Sequence, residues 1–311
     1  MKKILIAGLS VLLAAALFAE TKSTYSSTIE ANVKTFNVNL YSEDLKITEN
    51  DDNKIKIFIY TNKKRLSPNI YKNNDELSIV ATKNRYILGD YCNVEVSIPK
   101  KYEFKSVDIS HTSGSSQIEK LIAKEIYIKS TSGSVSADIL NAENTLNISS
   151  NSGSLKINKI ESDSLDLHTT SGSIKVSDVN VIDAIIESTS GSISSKIFDA
   201  DSIEIKSTSG SVDISDLSTD DFLINTVSGS VNISLYNIPR NSSNIKTTSG
   251  SVKIEFQSKN GFNLDFNSTS GSFRDQLTNT HLDKPKNLYK SFFEGGTDII
   301  VKTTSGSLTI Y

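Results

Sequence analysis

The tripeptide motif Ser-Gly-Ser occurs ten times between residue 113 and the C-terminus of the chain. Successive central glycines lie 19, 20, 19, 19, 19, 19, 21, 21 and 35 residues apart. A period close to 20 residues is typical of a solenoid, in which each repeat stacks on the one before it. The repeated glycines are ten of the 15 in the chain: Gly114, Gly133, Gly153, Gly172, Gly191, Gly210, Gly229, Gly250, Gly271 and Gly306.

Apolar and polar residues alternate on both sides of each of these glycines. The residue five positions before the glycine is apolar in all ten repeats. The two-residue period predicts strand, corner and strand with one buried face, and the three- and four-residue spacings of a helix do not recur. Every repeat contains the same Ser-Gly-Ser motif in the same chain direction. Parallel in-register rungs therefore explain the pattern better than antiparallel hairpins. We predict an all-β, single-stranded parallel β-helix (β-solenoid) with 19–21 residues per rung, right-handed by the usual crossover rule.

The Ser-Gly-Ser motif is suited to a corner of the solenoid. Glycine allows positive φ or close backbone packing, and flanking serines can satisfy backbone groups that a corner leaves unpaired. Two positions before the glycine, eight repeats carry threonine, and alternation predicts an exposed ladder: Thr112, Thr131, Thr170, Thr189, Thr208, Thr248, Thr269 and Thr304. We interpret this ladder as stiffening the corner, with a recognition surface, for ice among other ligands, as the alternative.

Residues 1–19 have the pattern of a secretory signal peptide. Two lysines precede an apolar run that ends in small residues, and we expect cleavage after Ala19. The run is shorter than the roughly 20 residues needed to span a bilayer, which makes an uncleaved anchor the weaker alternative. We therefore expect an extracytoplasmic protein, in the periplasm, on the outer surface or secreted, with no integral membrane segment after cleavage.

The rest of the chain divides into four parts. Residues 20–105 alternate like strands without the repeated motif, which predicts irregular β rungs that cap the stack. Residues 106–274 form the regular repeats. We interpret residues 275–296 as an inserted loop leaving the side of the rod, whose Phe292-Phe293 pair folds back over the final edge. Residues 297–311 then form the final rung.

Side chains with catalytic or metal-binding chemistry do not converge in this sequence. The three histidines, His111, His168 and His281, fall in different segments, and the acidic residues change position from repeat to repeat. We predict no enzymatic activity, no cofactor and no metal site. A net charge of −3 without a basic stripe disfavours nucleic acid as a partner. Cys92, the single cysteine, cannot form an intramolecular disulfide, and we expect a partly buried strand residue, with a free thiol or an intermolecular link as the alternative.

The motifs in their order resemble a known family. Strands ending in Ile98-Pro99 precede a ladder of Ile-x-x-Thr-Ser-Gly-Ser-Val-x-Ile, and a late Gly-Gly precedes the closing Val-Lys-Thr-Thr-Ser-Gly-Ser-Leu-Thr-Ile. Over roughly residues 35–311 this resembles the bacterial β-strand-repeat family of presumed adhesins, a domain of unknown function related to adhesin head domains. The resemblance implies an exported β-helix with an adhesive or envelope role, and it supplies no catalytic residues.

Three classes of function therefore remain after the sequence alone. The first is a non-enzymatic structural or interaction module of the cell envelope, an adhesin among these, with an unknown protein or glycan as partner. The second is a carbohydrate-binding or polysaccharide-active β-helix, which requires a groove with clustered acidic residues, arginine and aromatic residues. The third is a periplasmic sensor or assembly partner. The oligomeric state does not follow from the sequence.

Overall fold

A computed structural model describes residues 25–83 and 86–311, and these residues are almost entirely β-structure. The signal peptide and its cleavage after Ala19 lie outside the described residues. The strands are β1 (Tyr25–Glu30), β2 (Thr35–Leu40), β3 (Asp44–Asn50), β4 (Lys54–Thr61), β5 (Asn69–Asn73), β6 (Glu76–Val80), β7 (Cys92–Pro99), β8 (Glu103–His111), β9 (Ser116–Ser130), β10 (Val135–Ser150), β11 (Leu155–Thr169), β12 (Ile174–Ser188), β13 (Ile193–Ser207), β14 (Val212–Thr226), β15 (Val231–Leu235), β16 (Ser243–Thr247), β17 (Val252–Phe256), β18 (Phe262–Ser268), β19 (Ser272–Asp275), β20 (Thr280–Asp283), β21 (Leu288–Phe292), β22 (Thr297–Thr303) and β23 (Leu308–Ile310). A short 3₁₀ turn covers Lys64–Leu66.

The long strands β9 to β14 follow almost a whole rung each and pair in parallel with their neighbours. Equivalent positions of successive repeats lie side by side, as Ile174 does with Ile193. The predicted parallel β-solenoid is therefore confirmed. Where the repeat has 20 residues, the register shifts between Ala142 and Thr145, so the extra residue is taken up by an irregularity in the strand.

The core is a set of apolar columns that run along the stack. Side chains alternate between buried and exposed along each strand, and Leu167, Ile186 and Ile205 are at most 1% exposed. Burying one such side chain stabilises the fold by about 1.5–3 kcal/mol. Because each column continues through every rung, the stack gains this energy from the same few positions of each repeat.

The repeated glycines allow successive corners to approach closely. A Cβ atom on Gly172 would lie 2.0 Å from the carbonyl oxygen of Gly153, and the other nine would meet a backbone oxygen at 1.7–2.0 Å. None of the ten glycines has a positive φ, which is found instead at Gly89, Gly295 and Gly296. Of the two reasons for glycine at the corner, close backbone packing is therefore the one that applies.

Glu43 begins the corner column at the N-terminal end of the stack. A Cβ on Gly114 would lie 1.9 Å from the carbonyl oxygen of Glu43, so Glu43 holds the place of the preceding glycine. Its buried carboxylate accepts hydrogen bonds from the backbone N–H of Tyr41 at 2.6 Å and of Ser42 at 3.0 Å. Within the repeats, the equivalent N–H groups donate to carbonyl oxygens of the preceding rung. The carboxylate of Glu43 thus takes the place of the backbone acceptors that a preceding corner would supply.

Antiparallel strands cover the N-terminal side of the stack. The segments β2 and β3 form the rung below β8 and β9, and β6 and β7 lie below them in turn. On the outer side of this layer, β5 pairs antiparallel with β6, β4 antiparallel with β7, and β1 antiparallel with β4. The change of strand direction ends the parallel stacking, as expected of a cap over an open edge.

The C-terminal rungs do not stack in chain order. The segment 297–311 lies between two earlier rungs, because β22 pairs with both β16 and β18, and β23 pairs with both β17 and β19. The rung of β18 and β19 is therefore outermost among the parallel rungs. Residues 297–311 form the last rung in the sequence, but the prediction that they also form the last rung of the stack is wrong. The Ser-Gly-Ser motif is the same in every rung and therefore carries no information on stacking order.

Residues 275–296 close the outer edge of the stack. They were expected to leave the side of the rod as a loop, but β20 pairs antiparallel with β19 and β21 antiparallel with β18. Phe292 is buried and stacks on Phe262 with ring centroids 4.7 Å apart, whereas Phe293 is 44% exposed. One phenylalanine of the predicted pair therefore covers the edge.

We expect Gly172→Val to lower the free energy of unfolding by at least about 2 kcal/mol, because its Cβ would overlap the Gly153 carbonyl and force two rungs apart. Urea unfolding followed by circular dichroism measures the effect. Ser171→Val is the matched control, since Ser171 is the exposed neighbour at the same corner. A Gly172→Val protein as stable as the control would contradict the close-packing explanation.

Candidate functional site

Each corner presents a fixed order of inward and outward side chains. The residue three positions before the glycine is buried, the next two are exposed, and the glycine itself is buried. All eight threonines of the predicted ladder are exposed: Thr112, Thr131, Thr170, Thr189, Thr208, Thr248, Thr269 and Thr304. The corner therefore displays a ledge of hydroxyl groups along the length of the stack.

A second, buried column of hydroxyl groups supports this ledge from inside. It occupies the position three before the glycine, and nine of its members are serine or threonine: Ser130, Ser150, Thr169, Ser188, Ser207, Thr226, Thr247, Ser268 and Thr303. Thr226 Oγ1 donates to the carbonyl of Gly229 at 2.8 Å, and Thr169 Oγ1 accepts from the N–H of Gly172 at 3.0 Å. These side chains satisfy corner backbone groups, and flanking serines do so as well, because Ser154 Oγ accepts from the N–H of Ser173 on the next rung at 3.3 Å.

His111 interrupts the buried column at the first repeat. Its side chain is 4% exposed, and neither ring nitrogen has a hydrogen-bond partner among the described residues. Burial lowers the pKa of His111, against a smaller opposing effect of Asp44. The imidazole is consequently held in its neutral form inside the stack.

A shallow groove follows the outer face beside the hydroxyl ledge. Its two adjoining parts hold about 370 and 240 Å³ and share Asn225 and Thr226. We call it the axial groove. One wall is the column two positions before the glycine, and its residues are Thr189, Thr208, Val227, Thr248 and Thr304. The other wall is the column four positions before the glycine, and its residues are His168, Glu187, Lys206, Asn225, Lys246 and Lys302.

Charge is arranged unevenly along the axial groove. In its first part Glu187 lies 3.4 Å from His168 Nδ1 and forms an ion pair with Lys206 Nζ at 3.1 Å. Hydrogen bonds to Glu204 and Glu187 raise the pKa of Lys206. In the second part Lys246 and Lys302 are neighbours in register, and within 25–83 and 86–311 neither has an ion-pair partner. The groove therefore becomes cationic toward the C-terminal rungs.

The remaining sequence candidates do not come together. His281 lies 3.2 Å from Asp283 in the C-terminal edge strands, far along the chain from His111 and His168. Over the described part of the chain, no group of three His, Cys, Asp or Glu side chains is arranged to hold a metal ion. Nor does that part contain a helix long and apolar enough to cross a membrane.

Cys92 lies at the start of β7 and is 2% exposed. Burial first, and then the neighbouring charge of Glu43, raises the pKa of the thiol to about 12. The thiol is therefore protonated at neutral pH and enclosed by protein. It has the character of a core residue, more buried than the sequence suggested.

Stacked parallel rungs, a glycine corner column and capped ends define this chain as a β-solenoid repeat protein. The Toastrack family model (DUF4097) matches residues 33–196 and again 141–311. The chain belongs to this Toastrack family, whose function is unknown, and the resemblance seen in the sequence is confirmed.

Several solved structures are similar to this chain along most of its length. A presumed adhesin from Parabacteroides distasonis has 12% identity and a TM-score of 0.47, covering 92% of this chain and 96% of its own. A presumed lipid-binding protein from the same species has 15% identity and a TM-score of 0.44, with the same coverage. A presumed adhesin from Parabacteroides merdae has 13% identity and a TM-score of 0.45, covering 92% and 95%. No curated protein matches the chain. We take no function from likenesses this distant.

The two hydroxyl columns should differ in their contribution to stability. We expect Thr169→Val to cost about 1 kcal/mol, because the buried N–H of Gly172 loses its acceptor. The adjacent Thr170→Val should change stability by less than about 0.5 kcal/mol, because its hydroxyl is exposed. Thermal unfolding of the two variants tests the pair, and equal losses would show that burial does not separate the columns.

His111 should make stability depend on pH. The folded pKa is lowered, so the unfolded chain binds the proton first, and stability falls as the pH drops below the unfolded value of about 6.5 toward the folded one. We expect His111→Ser, which restores the residue type of the column, to flatten this part of the pH profile. Urea midpoints at pH 7.5, 6.5 and 5.5 measure it, with His281→Ser as the exposed control. Parallel profiles for wild type and His111→Ser would contradict the assignment.

Proposed function

We propose that this protein is an exported, non-enzymatic interaction module of the cell envelope that acts as an adhesin. The observation that carries the proposal is the axial groove, in which one wall repeats threonine on four of five rungs. Rungs of a parallel stack advance by about 4.8 Å, so the groove offers equivalent polar positions at a fixed spacing. A partner that is itself elongated and polar, a glycan strand or an extended peptide, matches a groove of this kind.

The rigidity of the stack supports the same proposal. Each rung is held by backbone pairing on both sides and by buried apolar columns, so the groove is formed before any partner arrives. A preformed surface avoids the entropy cost of ordering side chains and loops on binding. The leader-like residues 1–19 support export, and the resemblance of the repeated motifs to those of presumed adhesins supports an adhesive role.

A charge-insertion experiment tests the role of the groove. Thr189→Lys with Thr208→Lys places two long cations in the groove, whereas Asn180→Lys with Asp199→Lys places them on another exposed face of the same rungs. Beads coated with each protein are counted on isolated peptidoglycan sacculi and on intact cells. We expect the groove variant to bind about tenfold more weakly, equivalent to ~1.4 kcal/mol, and the control to bind like wild type. Equal binding by both variants would exclude the groove.

Location is tested separately, by adding protease to intact cells and detecting the chain after fractionation. We expect digestion on intact cells. Protection until the envelope is opened would overturn the adhesin proposal and favour a periplasmic scaffold or sensor.

A further inference from the structure

A second concave surface lies on the N-terminal cap, away from the axial groove. It is a groove of about 700 Å³ on the outer face of the sheet in which β4, β7, β3 and β9 lie side by side. This volume lies within the range of about 300–1,000 Å³ that is typical of small-ligand sites. We call it the cap groove.

The register of the four strands brings its lining residues into adjacent rows. Tyr60 of β4 pairs with Asn93 of β7, and Asn93 pairs with Asp44 of β3. In the next row, Lys46 of β3 lies between Glu95 of β7 and Gln117 of β9. These residues come from segments that are far apart in the sequence, so the groove exists only when the cap is assembled.

Two tyrosines give the cap groove aromatic surface that the axial groove lacks. Tyr91, which precedes β7, is 43% exposed, and Tyr60 is half-buried. Tyrosine combines an apolar ring with a hydroxyl group, and such side chains are suited to ligands that have both apolar and polar faces. A pyranose ring is a ligand of this type, because its C–H groups form an apolar face and its edge carries hydroxyl groups.

The polar side chains of the cap groove can both donate and accept hydrogen bonds. The amides of Asn93 and Gln117 offer two donors and one acceptor oxygen each. Within the described residues, neither amide is bonded to another protein group. Sugar hydroxyls also donate and accept, so amides that are free to do both are complementary to them.

The charges of the cap groove favour an uncharged ligand. Lys46 Nζ lies 3.4 Å from Glu95 Oε1, so this cation is already paired. Asp44 Oδ1 accepts from the N–H of Ser115 at 2.8 Å, which holds a carboxylate at the groove wall. The lining therefore carries one more acid than base, and an anionic sugar or a phosphate would meet like charge.

We propose that the cap groove is a binding site for a neutral saccharide, with Tyr60 and Tyr91 contacting the ring faces and Asn93 and Gln117 bonding the hydroxyls. This site is separate from the axial groove and stands without it. Its acidic and aromatic residues are two of the three kinds that a carbohydrate-binding β-helix is expected to cluster in a groove, and the basic residue of its lining is Lys46 in place of arginine.

The test uses the full chain without residues 1–19 and four soluble probes: the tetrasaccharides of β-1,4-linked glucose, of β-1,4-linked N-acetylglucosamine and of α-1,4-linked glucose, and tetragalacturonate as the anionic counterpart. Saturation-transfer NMR and titration calorimetry measure binding. We expect at least one neutral probe to bind and tetragalacturonate to bind at least about tenfold more weakly. Absence of binding by all three neutral probes at millimolar concentration, or preference for tetragalacturonate, would overturn the proposal.

Variants assign the binding to the cap groove. Tyr91→Ala and Gln117→Ala alter exposed side chains, so the stack should keep its unfolding midpoint while affinity falls about tenfold. Tyr236→Ala, an equally exposed tyrosine of the regular rungs, is the matched control and should bind like wild type. Unchanged affinity in both cap variants, or an equal loss in Tyr236→Ala, would show that the saccharide binds elsewhere. The axial groove stays intact in these proteins, so a loss of oligosaccharide binding without a loss of adhesion to sacculi separates the two sites.

Discussion

The contact of one backbone corner with the next governs this structure. Nine of the ten repeated glycines lie against the carbonyl of another glycine of the column, and Gly114 lies against that of Glu43, at distances that leave no room for a side chain. The contact fixes the register, because a slip by one residue would turn the apolar columns outward and the polar ones inward. Eight of the nine buried hydroxyls three positions before a repeated glycine bond to the same corner, as Thr226 does to Gly229. Corner, core and exposed ledge therefore depend on one repeated close approach.

The first and last rungs of such a stack have to be covered, because their unpaired backbone N–H and C=O groups could pair with another strand. The two ends solve the problem with different chemistry. At the N-terminus Glu43 puts a side chain where the corner column requires none, and its carboxylate satisfies the amides that another rung would have paired. At the C-terminus the chain reverses direction in β20 and β21 and then inserts 297–311 between finished rungs. The inserted segment has both edges paired, which leaves no free strand at the chain end.

The sequence predicted the features that depend on local periodicity. The rung length follows from the spacing of the Ser-Gly-Ser motif. The apolar columns and the outward threonines follow from the alternation of apolar and polar residues on both sides of it. The same alternation also predicts that the buried hydroxyl column faces inward, because it lies two residues from the apolar position five before the glycine and therefore on the same face of the strand. Serine and threonine are polar, however, so the sequence alone did not identify these residues as buried. The order of the last rungs was not predictable, because identical motifs at Gly250, Gly271 and Gly306 fit one another equally well. The cap groove was equally hidden, because Tyr60 and Gln117 come to line one groove only through the order of four strands.

The two proposed surfaces differ in what a repeat can and cannot provide. A groove that repeats on every rung offers many similar contacts, so a long partner gains avidity from their number even when each contact is weak. The hydroxyl wall of such a groove discriminates poorly, because a partner shifted by one rung meets another threonine at most positions. Discrimination requires a place where the repeat is broken. The cap is that place: it carries tyrosines where the regular rungs carry serine and threonine, and its lining occurs once. A protein that holds a polymer along its length and recognises one sugar at its end needs both kinds of surface, and the close-packed corner is what keeps them in a fixed relation.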